Sequence, residues 1–459
     1  MSKQKKKHGA ERVFAVPAEM LEKSIHVAEH GEHMLTNNGP VRRAGEYWSK
    51  LGPGLTTGAA DNDPSGIATY SQAGAQFGFQ FLWTPLFTLP FMAVVQEMCA
   101  RIGIVSGRGL AANIRSHYSS GALYLVTILL FIANTLNIAA DLGAMAAGAH
   151  LLIPLANIEI LVIIFAFISL LLQIFTSYAH YAKYLKYLTL ALFSYVITAF
   201  AVNLDWTSLL YHTVIPSFSL TKSHIFLLGA ILGTTISPYL FFWQTSQEVE
   251  ERVLHGETSI KQRQKNVNDD EIKDMRVDVW SGMFFSNLIA FFIFAACAGT
   301  LYTHGIVNIE TAADAASALR PFAGEFAYLL FAIGIIGTGL LAIPVLAGST
   351  AYAIAESFGW RYGLYRKLKQ AYAFYGVIII SMIIGVIANF MHLDPIKGLL
   401  YAALANGIIA PVVLFFVIRI SGNKKVMGRH HNKRTASFIG WVTVVVMAVS
   451  GIAAMITLI

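Results

Sequence analysis

Two short runs hold most of the chemistry that this sequence can offer. The first is Gly58-Ala59-Ala60-Asp61-Asn62-Asp63-Pro64-Ser65-Gly66, in which Asp63 stands directly before a proline and Asp61 two residues earlier. The second is Gly233-Thr234-Thr235-Ile236-Ser237-Pro238-Tyr239, with its proline 174 positions after the first. Proline has no N–H and cannot donate to the carbonyl four residues back. Pro64 therefore frees the oxygen of Ala60, and Pro238 frees that of Thr234. Both runs interrupt apolar stretches, and in hydrocarbon a freed carbonyl persists where protein, water or an ion satisfies it. A carboxylate at that depth is costly and is kept for a pathway, a counter-ion or a bound ion. Together the two carbonyls and Asp63 point to a cation site. Asp63 is the better source of charge because it occupies the break itself. For Asp61, lining a vestibule, capping the half-helix and staying protonated stand beside cation binding. Pro85, Pro90, Pro344 and Pro411 lack such neighbours and read as plain kinks.

The elements that must position these runs are membrane helices. Of 459 residues, 56% are apolar and 13% charged, where a soluble chain carries about a quarter charged. Apolar stretches of about 20 residues fall near 51–76, 79–100, 121–148, 151–176, 184–204, 224–247, 279–302, 322–357, 371–392, 396–418 and 436–458. That makes eleven spans in an all-α membrane protein, with 322–357 too long for one straight crossing. With the amino terminus in the cytoplasm, 30 of the 33 Lys and Arg residues fall on the cytoplasmic side, leaving Lys222, Arg320 and Lys397 outside. Basic residues resist translocation, so this bias supports the orientation and the count, and it explains the net charge of +7 without nucleic acid. The expected location is the inner or plasma membrane. Residues 1–50 read as a cytoplasmic tail without a secretory signal, and 249–277 as a solvated cytoplasmic loop. Cys99 and Cys297 have no partners at ligand spacing, so neither a disulfide framework nor a zinc cluster is expected.

The first and sixth spans share the interrupting proline, and five spans begin at each, so the halves run in opposite senses. This is an inverted five-helix repeat: 51–206, then 224–420, with 436–458 added as an eleventh helix. In the third span Asn134, Asn137 and Asp141 share one helical face, as either a polar route or an interhelical seam. Glu97 and Arg101 are spaced to pair. Asn389 and Asn406 suit either a pore or a seam.

The run from Gly52-Pro53-Gly54 through Asp63-Pro64-Ser65-Gly66 to Gln72-Ala73-Gly74, with Leu82-Trp83, Gln96 and Gly107, resembles the NRAMP family of divalent-metal transporters. The resemblance covers about 400 residues. It implies a LeuT-like fold with broken first and sixth helices, and a metal site whose aspartate falls on Asp63 and whose carbonyl ligands fall on Ala60 and Thr234. The sequence departs from the family pattern at four places. The family's asparagine ligand is Gly66 here, its methionine is Ser237, and its two sixth-span histidines are Tyr239 and Gln244. Losing sulfur removes discrimination against hard ions. The smaller side chains leave room for water, which magnesium releases reluctantly. This pattern resembles the NRAMP-related magnesium transporters. With Tyr239 in place of histidine, and tyrosine a poor proton relay at neutral pH, passage of Mg2+ (and Mn2+) without proton coupling is expected.

The rival within transport is a proton-coupled Mn2+ or Fe2+ symporter that uses Asp63, with Asp61 or Asp141 supplying the proton step, and a trivalent-ion carrier is a second. An intramembrane protease lacks a histidine beside Ser65, and an aspartyl version has only Asp63 and Asp141 to draw on. A sodium-coupled amino-acid carrier would have its substrate carboxylate repelled by Asp63. The expectation is therefore a transporter and not an enzyme. It has a divalent cation as substrate, no cofactor, no obligate protein partner, and the lipid bilayer as its surroundings.

Overall fold

The computed structural model describes residues 52–176, 192–202, 204–391 and 394–458. The tail at 1–50 and the first part of the span at 184–204, with Lys183 and Lys186, lie outside the described residues. The long helices are α1 (Pro53–Asp61), α2 (Pro64–Phe77), α3 (Trp83–Ser106), α4 (Ser120–Leu152), α5 (Ile158–Phe175), α6 (Phe193–Ala201) and α7 (Lys222–Thr235). They continue with α8 (Pro238–Leu254), α9 (Asp269–Thr300), α10 (Ala327–Phe358), α11 (Tyr372–Asn389), α12 (Pro395–Ser421) and α13 (Arg434–Ile456). Among the described residues, nine helices are long and apolar enough to cross a membrane, with α7 and α8 taken as one. The pair α1 and α2 makes a further, broken span, and α6 belongs to the fifth.

Both interruptions fall where the prolines place them. Asp63 and Ser237 stand at the N-cap positions of α2 and α8, each followed by proline in the first helical turn, where its missing N–H costs nothing. Pro90, Pro344 and Pro411 sit inside continuous helices, as plain kinks should. The first half of each broken helix lies backbone-to-backbone on a neighbour. A Cβ on Gly58 would strike the backbone of Gly282 in α9, and one on Gly233 would strike Ala403 and Gly407 in α12. Glycine permits this close approach, the usual device of membrane helix contacts. The start of α1 is fixed as well: the Asp278 carboxylate accepts from the amides of Gly54 (2.6 Å) and Leu55 (2.9 Å). These are two of the donors a helix leaves unpaired at its first turn.

The central helix α4 packs on α10, α11 and α12. Apolar side chains such as Phe167, Val449 and Ile452 point outward from α5 and α13. The overlong eighth span is a single helix of 32 residues, about 48 Å at 1.5 Å per residue. It begins at Ala327; residues 320–326 form separate short turns.

Most of the stretch at 249–277 is exposed, as expected of a solvated segment, but it is largely helical and two of its arginines are buried. The helix α8 runs to Leu254, a short helix covers Ile260–Lys265, and α9 starts at Asp269. Buried Arg252 donates to Glu257 (2.7 Å) and to the carbonyl of Ile104 (2.9 Å), while buried Arg263 donates to that of Gly107 (3.0 Å). Guanidinium donors thus satisfy carbonyls that the end of α3 leaves unpaired. The Glu97–Arg101 pair forms at 3.2 Å and gains Arg276 (3.0 Å) and the indole of Trp280 (3.1 Å).

Candidate metal site

The site is built around Asp63. An aspartate before proline is a strong helix-capping pattern, and the Asp63 Oδ1 accepts from the Gly66 amide and the Ser65 hydroxyl, each at 2.7 Å. Its other oxygen accepts from Asn137 Nδ2 on α4 at 2.8 Å. The side chain is 1% exposed. Three donors from two helices hold the carboxylate between α2 and α4.

The two freed carbonyls have found donors within the protein. The Tyr239 hydroxyl donates to the oxygen of Ala60 at 3.1 Å. The Ser237 hydroxyl is turned back on its own half-helix, 2.8 Å from both the Gly233 and Thr234 oxygens. The residues expected to shape the pocket thus also occupy the expected ligand oxygens in this conformation. The Thr234 hydroxyl lies 3.4 Å from that of Ser65, which joins the two breaks. At Gly66, a Cβ would meet the Thr234 hydroxyl at 3.2 Å and both the Asp61 carbonyl and Asp63 Oδ1 at 3.4 Å. Three oxygens thus close tightly around Gly66, which leaves no room for a side chain in this conformation.

Asp63, Ala60, Thr234, Ser237, Gly66 and Tyr239 therefore converge on the two breaks. Gln244 stands apart: it lies further along α8 and donates to Glu248 at 2.8 Å. The third-span face divides. Asn134 donates to α10 at Leu346, Ser349 and Thr350 as a seam residue, whereas Asn137 binds Asp63. Asp141 is fully buried, with neither carboxylate oxygen hydrogen-bonded. Asn389 is a seam residue on the Ala139 carbonyl (2.8 Å). Asp61 turns away from Asp63 and accepts from Ser286 of α9.

Sequence reasoning missed Ser65 as a partner of Asp63, Tyr70, whose hydroxyl lies 3.1 Å from Thr235, and Ser286. The Asp-Pro capping pattern could have signalled Ser65. Tyr70 and Ser286 meet their partners only through tertiary packing. Among the described residues, no group of three His, Cys, Asp or Glu side chains could hold a metal, so cation binding here would combine one carboxylate with neutral oxygens.

Residues 54–457 match the family model described as "Natural resistance-associated macrophage protein-like". The chain is 25% identical over 400 residues to the divalent metal cation transporter MntH of Klebsiella pneumoniae, covering 86% of this chain and 91% of that protein. Among solved structures, it is similar to the manganese transporter of Eremococcus coleocola in complex with an aromatic bis-isothiourea compound. There the TM-score is 0.68 at 17% identity, over 88% of this chain and 85% of that one. The inward-facing transporter Mhp1 shares the fold at a TM-score of 0.52 and 15% identity, over 88% and 89% of the two chains. The broken helices, the inverted-repeat fold and the family match over nearly all the described residues lead to one conclusion: the chain belongs to the Nramp family of divalent-metal transporters, multi-pass membrane proteins and not enzymes.

Proposed function

We propose that this transporter carries Mg2+, and Mn2+ beside it, by alternating access around Asp63, without coupling to protons. The observation that carries this reading is the all-oxygen surround of Gly66. The Thr234 hydroxyl, the Asp61 carbonyl and the Asp63 carboxylate that close on it offer hard oxygen and no thioether. Once the breaks part around a cation, the absence of a side chain at position 66 favours the waters that magnesium retains. In the cation-bound state Asp63 supplies charge, and the Ala60 and Thr234 carbonyls coordinate once Tyr239 and Ser237 release them. Ser237 then offers its hydroxyl directly or through water. Gly66 and Tyr239 set the width of the pocket, and Gln244 borders the path beyond it.

The Tyr239 hydroxyl, engaged with the Ala60 oxygen, acts as a donor to the site and not as a proton relay. Influx then runs down the metal gradient and a negative-inside potential worth about 2.3 kcal/mol per charge per 100 mV. The proposed setting is the inner or plasma membrane, with the amino terminus and the basic loops on the cytoplasmic side and the protein working without an obligate partner. The halves at 51–206 and 224–420 rock against each other, and 436–458 lies outside the repeat.

A second reading, a proton-coupled Mn2+ or Fe2+ symporter, draws on the buried, unpaired Asp141 and on the manganese transport named for the structural relative. One experiment separates the two: Mg2+ and Mn2+ uptake into proteoliposomes with lumenal pH recorded by a trapped dye. The proposal expects uptake of both metals with no acidification. Stoichiometric proton movement, or exclusion of Mg2+, favours the second.

A further inference from the structure

The function proposed above leaves Asp61 unused, although this buried carboxylate sits at the same helix break. It is the last residue of α1 and 1% exposed. A helix ends in unpaired carbonyls and carries negative potential there, so an acidic side chain in the last turn has the unfavourable sign. Among the described residues, none of the Lys, Arg or His ion pairs includes it. One of its oxygens accepts from the Ser286 hydroxyl of α9. Ser286 in turn accepts from Asn62 Nδ2 at 3.1 Å, which pins three side chains together on the α9 side of the break. Two oxygens remain without donors: Asp61 Oδ1 and Asn62 Oδ1, on residues 1% and 3% exposed. Buried acceptors without partners are costly, and a buried carboxylate without a counter-charge more so.

We propose that Asp61, Asn62 and Ser286 form a second cation site, distinct from the Asp63 pocket, which binds a small alkali cation such as sodium. The two sites lie on opposite sides of one break, since Asp63 is held by Asn137 of α4 and Asp61 by Ser286 of α9. The ligand follows from charge and hydration. One carboxylate with an amide oxygen and a hydroxyl gives a net charge of −1, which a monovalent ion neutralises. Magnesium carries twice that charge and keeps several waters, so a set with one carboxylate neutralises it less well. A cation seated there would neutralise the carboxylate next to the transport pocket and tie α1 to α9. The inference rests on the proposed function only where transport is the readout.

The test is therefore split. Thermal unfolding of the purified full chain is measured in NaCl and in choline chloride at equal ionic strength, with MgCl2 as a third arm. The wild type should melt several degrees higher in sodium. The shift should be lost in Asp61→Asn, weakened in Ser286→Ala, and retained in Asp63→Asn. This arm reads sodium binding whether or not Mg2+ is transported, so a failure of the Asp63 pocket would leave it intact. In proteoliposomes, replacing sodium by choline should slow wild-type Mg2+ uptake several-fold. Equal melting of the wild type in the two salts overturns the proposal. So does a sodium shift that survives in Asp61→Asn, or a shift produced by Mg2+ alone through Asp61. If Asp61→Asn does not fold, Ser286→Ala decides, and an undiminished shift in that variant overturns the proposal.

Discussion

The two helix breaks share a proline and a freed carbonyl, but they are held open differently. At the first, Asp63 caps α2 through its own side chain and is braced by Asn137 from α4. At the second, Ser237 makes no side-chain cap for α8, and its hydroxyl returns to the half-helix before it. The first break thus carries fixed charge in a rigid mount, while the second carries neutral oxygens that a hydroxyl covers or uncovers. Under the proposed function, the contrast would place affinity at the first and selectivity at the second: a carboxylate draws any cation, whereas the group at position 237 would decide which one keeps its water.

The sharpest way to break this division is at Asp63. Asp63→Ala should abolish uptake of both Mg2+ and Mn2+ in proteoliposomes, because losing the one fixed charge facing a buried cation costs about 3–5 kcal/mol. Substantial uptake in that variant would remove the first break from the mechanism. Next comes Ser237→Met, which places a thioether at the second break. We expect it to shift the Mn2+-to-Mg2+ preference by about tenfold toward the softer ion, or about 1.4 kcal/mol, as read by competition uptake. Unchanged selectivity would count against the role given to the second break.

Asn137→Ala tests the mount. Removing a donor to a buried carboxylate should weaken Mg2+ binding by about 1.5–3 kcal/mol if the brace positions Asp63 for the ion, as measured by calorimetry. Tighter binding would show that Asn137 competes with the cation instead. The smallest effect should come from Gly66→Ala. Its Cβ would stand 3.2 Å from the Thr234 hydroxyl and crowd the oxygens of the pocket further, reducing Mg2+ uptake several-fold with less effect on the more readily dehydrated Mn2+. Equal loss for both ions would indicate general disruption and not a narrower pocket.

The sequence announced the breaks themselves because proline and glycine act locally: a missing N–H at Pro64 or Pro238 has the same consequence in any helix. Asp63 stood out because a carboxylate in an apolar run is costly wherever it lies. Partners brought from elsewhere in the chain were not legible. Ser286 and Asp278 reach the first span across 225 and 224 positions, and no local pattern marks either residue. Helical spacing placed Asn134, Asn137 and Asp141 on one face, but it could not divide them, because a seam and a site differ only in what packs opposite. Most charges at 249–277 are solvated as the sequence suggests, but nothing local marks Arg252 and Arg263 as the two that pair with the Ile104 and Gly107 carbonyls at the end of α3.

The most direct measurement is an anomalous diffraction map of crystals soaked in Mn2+, used as a visible stand-in for the hard divalent ion. The account predicts a peak beside Gly66, in contact with the Asp63 carboxylate and the Ala60 and Thr234 carbonyls. The Tyr239 and Ser237 hydroxyls should be moved off those two oxygens. A peak elsewhere, or one at Asp63 with both carbonyls still covered by their hydroxyl donors, would contradict it.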